Sequence, residues 1–223
     1  MRIAVIIPAL NEEEAISRVV EDVPDYVDEI LVVDNGSTDE TAVKAREAGA
    51  RVIREDKKGY GYACLAGIKA AEAPDIVVFL DGDYSDYPED MDSLLKPIIK
   101  DGYDLVIGSR MKYREKGAML PHAVAANLFF SLLIRLLYGV RFTDLGPFRA
   151  VKYDKLLALN MREMRYGWTA EMQLKAVKKG YRVKEVPVRY RKRLGRSKVS
   201  GSPWASLKAA LKIFQTIIAV RST

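Results

Sequence analysis

The sequence predicts an α/β protein in which helices cover both faces of one mostly parallel sheet. Short runs rich in β-branched residues alternate with helical stretches in the first half of the chain, and this alternation is typical of βαβ units with right-handed crossovers. The runs are continuously apolar, as in strands buried on both faces. No linker rich in proline, glycine or serine divides the 223 residues. We therefore expect a single domain, residues 1–223, with a doubly wound, Rossmann-like sheet.

The predicted elements follow in chain order. Strands are expected over residues 3–7, 30–33, 51–54, 76–80 and 105–107, with helices over about 12–23, 39–48, 60–73 and 89–100. Residues 111–122 are polar, contain a glycine and a proline, and are predicted to form a mobile loop. The remaining chain is predicted to form helices near 123–138 and 167–179, a short strand around 141–151, a strand over 182–190 and a final helix from Pro203.

Charge and cysteine content narrow the class of partner and the compartment. The net charge is +6 and the pI is near 9.2, which favours anionic partners such as nucleic acid, phosphorylated small molecules or acidic lipid headgroups. The basic run between Lys175 and Lys198 lacks the interleaved aromatic residues of single-strand nucleic-acid binders, apart from Tyr181 and Tyr190. We therefore expect no nucleic-acid partner. A single cysteine, Cys64, excludes an internal disulfide and fits the reducing cytoplasm.

Polar side chains gather where the predicted strands end. Strand one is followed by Pro8, Asn11 and Glu12, strand two ends in Asp34, strand four in Asp81-Gly82-Asp83, and strand five in Ser109-Arg110. In open α/β sheets, ligands bind outside the carboxyl ends of the strands. Turn formation explains Gly36 and Gly82, but it does not explain acids that directly terminate apolar strands.

The stretch DGDYSDYPED, residues 81–90, predicts a divalent-metal site. Asp81 and Asp83 flank a glycine, and two carboxylates at this spacing can both reach a hard cation. Ser85 or Asp86 is the candidate third ligand, with helix capping as the alternative role of Asp86. Pro88-Glu89-Asp90 is typical of a helix start.

Two further features remain less specific. KKGYGYACLAG, residues 57–67, fails as a dinucleotide fingerprint, and we interpret it as a helix N-terminus near phosphates with Lys58 close by. The only histidine, His122, forms neither a catalytic triad nor a zinc site by itself, and a structural or peripheral role is expected.

The motifs IPALNEE, VVDNGSTDET, FLDGDYSDYPED, GSR and the late R-x-x-G-R-S-K occur in order over nearly the whole chain. Together they resemble family 2 of the glycosyltransferases, which have a GT-A fold. Within that family the dolichyl- or polyprenyl-phosphate mannose and glucose synthases are the most similar branch. The resemblance implies inverting transfer of a hexose from a GDP- or UDP-linked donor, with Mn²⁺ or Mg²⁺ on Asp81 and Asp83, to a polyprenyl phosphate.

The resemblance also assigns roles to single positions. It implies that Pro8, Asn11, Glu12, Asp34 and Asp81, together with Lys58, contact the nucleotide sugar, and that phosphate groups meet Arg110, Arg149, Arg193, Arg196 and Lys198. Glu171, in WTAEM, stands where members with hydroxyl acceptors carry a catalytic base. Residues 1–110 would then bind the donor and residues 111–223 the acceptor. Two departures are Ser85, where glutamine is usual, and DLGPFR at 144–149, where D-x-T-S-G-F-R is usual.

Two apolar segments bear on location. In residues 123–140, Asn127, Ser131 and Arg135 form a narrow polar stripe on an otherwise apolar helix, and residues 209–220 are similar but shorter. Such helices fit the membrane interface, and they also fit core or dimer packing. The resemblance favours peripheral contact with the cytoplasmic face of a membrane. The alternatives are a cytosolic transferase that uses Glu171 as base for a soluble hydroxyl acceptor, and a non-catalytic module that binds nucleotide sugar or membrane.

Overall fold

The computed structural model of the protein describes residues 1–195 and 203–222. The strands are β1 (Ile3–Ala9), β2 (Glu29–Asp34), β3 (Arg51–Arg54), β4 (Ile76–Phe79), β5 (Leu105–Arg114), β6 (Arg149–Lys152) and β7 (Val183–Tyr190). The helices are α1 (Ile16–Glu21), α2 (Thr41–Glu47), α3 (Tyr60–Ala70), α4 (Met91–Asp101), α5 (Pro121–Tyr138), α6 (Tyr153–Ala158), α7 (Trp168–Lys178) and α8 (Pro203–Ser222). A short 3₁₀ turn at Pro88–Asp90 precedes α4.

All seven strands lie in one sheet of order β3-β2-β1-β4-β6-β5-β7. The pairs β3–β2, β2–β1, β1–β4 and β5–β7 are parallel, whereas β6 is antiparallel to both of its neighbours. The expectation of a mostly parallel, doubly wound sheet is confirmed. The strand order reverses between β1 and β4, and this reversal places the main ligand crevice at their carboxyl ends.

The core has two layers, one on each face of the sheet. Side chains alternate across β1 and β2, so that Ile6 and Val33 pack on one face while Ile7 and Val32 pack on the other. Helix α3 lies close against the sheet because Gly67 has no side chain: a Cβ there would fall 2.5 Å from Ile6 Cγ2. The close approach brings the N-terminus of α3 towards the carboxyl end of β1.

The structure differs from the sequence expectations at two places in the second half of the chain. The predicted mobile loop begins later than expected, because β5 continues to Arg114 and its last residues pair with β7 after an irregularity at Ser109. Backbone pairing with β7 outweighs the polar composition of this segment. Helix α6 was not predicted, and the short strand around 141–151 is the antiparallel β6, displaced towards the end of that range.

Helix α5 turns two of the three polar-stripe residues, Asn127 and Ser131, inward, whereas the third, Arg135, is exposed. Asn127 and Ser131 are buried, and Asn127 donates to the Thr143 carbonyl at 2.8 Å and accepts from the Leu145 N–H at 3.1 Å. The outer side is apolar, with Leu132 and Leu136 54% and 73% exposed. The 18 residues of α5 have the length and hydropathy of a membrane-crossing helix, although core helices of soluble proteins meet the same criteria.

Helix α8 lies beside α5 and exposes a second apolar face. The Tyr138 hydroxyl donates to the Ile217 carbonyl at 2.5 Å and joins the two helices. The large exposed apolar residues of α8 recur at alternating spacings of three and four: Trp204, Leu207, Leu211, Phe214 and Ile218. We call the outer surface formed by Leu128, Phe129, Leu132 and Leu136 of α5 and these five residues of α8 the apolar helix pair.

Candidate active site

A cavity of about 500 Å³ opens at the carboxyl ends of β1 and β4. Its lining includes six of the predicted site residues, namely Pro8, Glu12, Lys58, Asp81, Asp83 and Arg193. Five other polar or aromatic residues in the lining were not predicted: Asn35, Tyr60, Arg165, Tyr166 and Tyr190. The cavity is therefore built from both halves of the chain, at the place where the sheet topology favours a ligand.

Asp81 and Asp83 form a pair of mutually repelling carboxyl groups in the cavity wall. Burial, followed by the charge of Asp83, raises the pKa of Asp81 to about 7, against the opposing effect of Arg110 and Arg193. Asp83 Oδ1 accepts hydrogen bonds from the Ser85 N–H at 3.0 Å and the Ser85 hydroxyl at 2.5 Å. Asp83 Oδ2 lies 3.0 Å from Arg193 Nη1. The pair therefore needs positive charge to remain ionised.

This donor set fits a hard divalent cation that shares its ligands with a substrate. Mg²⁺ and Mn²⁺ prefer oxygen, and Mg²⁺ commonly takes one or two carboxylates together with phosphate oxygens and water. Within residues 1–195 and 203–222, no third aspartate, glutamate, histidine or cysteine completes a metal-binding group. Asp86 is buried and absent from the cavity lining, and burial together with Asp81 raises its pKa well above the usual range. Ser85 hydrogen-bonds to Asp83 and so orients it.

A basic segment, residues 189–194, lies along the acidic loop. The Arg191 N–H donates to the Ser85 carbonyl at 2.9 Å, and the Leu194 N–H donates to the Asp83 carbonyl at 3.0 Å. The Arg191 guanidinium lies 3.3 Å from the ring centroid of Tyr84 and 4.2 Å from that of Tyr87. It also donates to the carbonyl of Tyr84, whose φ of 63° is unusual for an aromatic residue. These contacts hold Arg193 inside the cavity.

Arg110 stands behind the cavity wall. Its guanidinium donates two hydrogen bonds of 2.7 Å to Asp144, which is fully buried. Burial alone would raise the pKa of Asp144, but the charge and hydrogen bonds of Arg110 hold it below its usual value. Arg110 also stacks over Tyr190 at 5.1 Å from the ring centroid. Arg110 therefore influences the cavity through its positive charge and through its contact with Tyr190, which lines the cavity.

On the opposite side of the cavity, Asn35 holds the loop formed by residues 55–59. Its side chain donates to the carbonyls of Glu55 and Lys57 at 3.0 and 2.8 Å, and it accepts from the Gly59 N–H at 2.8 Å. Asp34 is buried outside the lining and pairs with Arg54 at 2.6 Å. Asn11 also lies outside the lining. The motif VVDNGSTD correctly predicted that residues after β2 lie near the cavity. Only the structure shows that Asn35, and not Asp34, lines it.

Arg149 lies outside the lining of this cavity. It is 1% exposed and donates to the carbonyls of Gly146, Pro147 and Thr169. Burial lowers its pKa to about 10. The phosphate-binding role of Arg149 stays a prediction; in the structure its guanidinium is enclosed and donates to main-chain oxygens of the loop before β6 and of α7.

Glu171 lies in a second cavity of about 480 Å³, lined mainly by the loop before α7 and by α8. Its carboxylate accepts from the N–H groups of Arg162 and Glu163 at 3.0 and 2.8 Å and pairs with Lys175 at 2.7 Å. The described structure therefore uses Glu171 to fix a loop that continues to Arg165 and Tyr166. His122 is exposed in the first turn of α5. Arg196 and Lys198 lie outside the described residues.

Comparison with known proteins gives the family. Residues 4–158 match the family described as Glycosyl transferase family 2. A dolichyl-phosphate hexose transferase of Haloferax volcanii is 36% identical over 203 residues, covering 88% of this chain and 86% of the relative. The chain belongs to glycosyl transferase family 2.

The chain is also similar to two other glycosyltransferases. An undecaprenyl-phosphate mannosyltransferase of Micrococcus luteus is 32% identical over 220 residues, covering 90% of this chain and 88% of the relative. A crystal structure of glucosyl-3-phosphoglycerate synthase from Mycobacterium tuberculosis, in complex with Mn²⁺, UDP-glucose and phosphoglyceric acid, has a TM-score of 0.78 at 25% identity, covering 99% of this chain and 80% of that chain. The expected GT-A fold is confirmed. Since the chain belongs to a family of glycosyltransferases, it is an enzyme, and the alternative of a non-catalytic binding module is rejected.

The raised pKa of Asp81 predicts a stabilising substitution. The folded protein binds this proton more tightly than the unfolded chain does, so the stability associated with Asp81 decreases as the pH rises from about 4 to about 7. Asp81→Asn removes this loss. We expect the variant to unfold at a higher temperature than the parent in chelator-treated buffer, with a gain that is small at pH 4, grows to pH 7 and then levels off.

Asp83→Asn is the matched control for this measurement. It weakens the ion pair with Arg193 and the hydrogen bonds from Ser85, so we expect lower stability at pH 7. A gain for Asp83→Asn equal to that of Asp81→Asn would contradict the distinction between the two carboxyls.

The position of Glu171 predicts that Glu171→Gln destabilises the fold without removing the chemistry. Loss of the charge from a buried network of two N–H donors and Lys175 is expected to cost about 1–3 kcal/mol in the free energy of unfolding. Transfer by the folded variant should remain above about a tenth of the parent rate, since removal of a general base costs about 10²-fold or more. Lys175→Met tests the same ion pair and should destabilise similarly. Abolished transfer with intact folding in Glu171→Gln would restore Glu171 as the base.

Proposed function

We propose that this glycosyltransferase moves a hexosyl group from a nucleoside-diphosphate sugar to a polyprenyl phosphate at the cytoplasmic face of a membrane. One observation carries the acceptor: Ala118 lines the acid- and arginine-bearing cavity, and the exposed apolar helix α5 begins three residues later, at Pro121. A phosphate in the cavity can therefore continue directly into an apolar chain along the helix. The named activities of the Haloferax and Micrococcus relatives support this acceptor class.

On the donor side, Pro8, Glu12, Asn35 and Lys58 would surround the nucleotide, and Asp81 and Asp83 would hold Mn²⁺ or Mg²⁺ against its diphosphate. When bound, the cation would act as a Lewis acid on the leaving diphosphate. The complex of the Mycobacterium synthase with Mn²⁺ and UDP-glucose supports the metal and the donor class. Both GDP- and UDP-linked hexoses fit this proposal.

The acceptor chemistry follows from the residues present. A phosphate oxygen is already ionised near pH 7, so it requires positioning by cations and no general base. Arg165 lines the cavity and would supply such a cation to the acceptor. Attack on the anomeric carbon from the face opposite the diphosphate would invert its configuration. The placement of Glu171 in the second cavity agrees with a reaction that needs no base there.

The apolar helix pair supplies the membrane contact in this proposal. No acidic residue occurs from 116 to 143 or after Glu185, whereas Arg135, Lys208 and Arg221 are exposed on the two helices. An apolar surface whose two helices carry exposed cations and no acidic residue suits an anionic lipid interface and opposes pairing with a second, equally cationic copy. Residues 1–110 would thus serve mainly the donor, and residues 111–223 would serve the acceptor and the membrane.

A soluble phosphorylated acceptor is the second candidate. It is favoured by the likeness to glucosyl-3-phosphoglycerate synthase, whose complex contains phosphoglyceric acid. Arg165 could hold such a phosphate, and the apolar helix pair would then have no part in transfer. The two candidates differ in whether the product partitions into lipid.

The transfer experiment separates these candidates. The protein is incubated with Mn²⁺ and labelled GDP-mannose, UDP-glucose or UDP-N-acetylglucosamine, either with vesicles that contain polyprenyl phosphate or with phosphoglyceric acid. We expect label in the lipid fraction from one donor, and none with Asp81→Ala/Asp83→Ala. Label only in a soluble phosphorylated product would overturn the lipid acceptor and support the second candidate.

Membrane contact is tested with substitutions in the apolar helix pair. Leu132→Glu/Leu136→Glu should lower co-sedimentation with anionic vesicles by more than about tenfold, because each buried leucine contributes about 2 kcal/mol. Val43→Glu, an apolar-to-acid change at an exposed position of α2, is the matched control and should change vesicle binding little. Equal effects of the two variants, or unchanged binding in both, would contradict membrane docking through this surface.

A further inference from the structure

Arg193 already occupies the acidic site. Its Nη2 lies 2.7 Å from Glu12 Oε1 and its Nη1 lies 3.0 Å from Asp83 Oδ2. One guanidinium thus bridges a residue that follows β1 and a residue that follows β4. The resemblance in the sequence implied a phosphate ligand at this position, yet in the structure the same group neutralises carboxylates.

This contact competes with a metal ion for Asp83. Asp83 Oδ1 is engaged by the N–H and hydroxyl of Ser85, so that Oδ2 is the oxygen directed to Arg193. A divalent cation binds carboxylate oxygen at about 2.0–2.6 Å and cannot share that position with a guanidinium nitrogen. The two positive groups would also repel each other strongly at such a distance in a partly buried site.

We propose that Arg193 is an exchangeable counter-ion of the acidic site: the divalent cation displaces it from Asp83, and the diphosphate of the donor then takes up the released guanidinium. This inference rests on the metal-dependent function proposed above and deepens it. The metal alone must compete with Arg193, whereas the metal together with a diphosphate offers Arg193 a new anionic partner. Binding of the cation and of the diphosphate is therefore positively coupled, and the coupling is reciprocal.

The exchange requires movement of one side chain only. The main chain on either side is held by the hydrogen bond from the Leu194 N–H to the Asp83 carbonyl and by the stacking of Arg191 on Tyr84 and Tyr87. The Arg193 side chain is 25% exposed and lines the cavity, so it can turn within it. A long, flexible side chain on a fixed backbone is suited to such an exchange.

The test is the affinity for Mn²⁺ in the absence of any donor, measured by titration of the free Mn²⁺ paramagnetic resonance signal. Arg193→Gln removes the competing charge, so we expect Mn²⁺ alone to bind at least about fivefold more tightly than to the parent, the ratio that corresponds to a partly buried ion pair. Addition of UDP should tighten Mn²⁺ binding by a larger factor in the parent than in Arg193→Gln. Arg193→Lys retains the charge without the two-pronged contact, and its affinity for Mn²⁺ should fall between the two.

Arg189→Gln is the matched control. It removes the same charge from the same basic segment, but Arg189 pairs with Asp90 and Glu89, which do not line the cavity. We expect its Mn²⁺ affinity to stay within about twofold of the parent, since exposed charges act weakly at a distance. Circular dichroism melting of each variant establishes that the compared proteins are folded.

The outcomes separate this inference from the proposed function. Mn²⁺ affinity in folded Arg193→Gln that is equal to or weaker than in the parent, or equal gains in Arg189→Gln, would overturn the exchange while leaving metal-dependent transfer intact. Absence of Mn²⁺ binding to all variants, with and without UDP, would overturn the exchange together with the metal assignment. Failure of lipid labelling alone would overturn only the acceptor.

Discussion

The active-site region is organised around negative charge buried at the end of β4. Asp81, Asp83 and Asp86 stand within six residues; Asp83 and Asp86 are buried and Asp81 is half-buried. Such a cluster is unfavourable unless positive groups face it. The basic segment 189–194 supplies one of these groups through Arg193, and Arg110 supplies another. The position of β7 and of the chain that follows it is thus tied to the electrostatic requirements of the acidic loop.

The same requirement explains why so many structural contacts converge on a few cations. Arg191 holds the segment in place through its hydrogen bonds and its stacking on Tyr84. Arg193 in the same segment therefore faces the carboxylates. Arg149, which looks equivalent in sequence, is enclosed by carbonyl oxygens and holds a loop. The role of each arginine therefore depends on its partners. Arg149 and Arg191 hold loops in place, whereas Arg193 faces the carboxylates in the cavity.

Helix α5 shows how burial can oppose a pattern read from sequence. An amphipathic helix normally turns its apolar face to the core, but here Asn127 and Ser131 face inward because the loop that follows α5 offers carbonyl and N–H partners to Asn127. Leu128, Leu132 and Leu136 consequently remain outside, on the same apolar helix pair as the exposed residues of α8. In the function proposed above, this exposed surface would contact the apolar chain of the acceptor.

Much of the molecule is determined locally by its sequence. The β-branched runs specify the parallel strands, and the acids and asparagines at their ends mark the edge on which Pro8, Glu12, Asp81 and Asp83 meet, because parallel strands bring their carboxyl ends together. Only the tertiary structure decided three other features: the direction of β6, the enclosure of Arg149 and Glu171, and the approach of Arg165, Tyr166 and Tyr190 to the cavity. Each of these depends on partners distant in the chain, and a side chain's role in a buried site depends on which charges and main-chain groups the fold places against it.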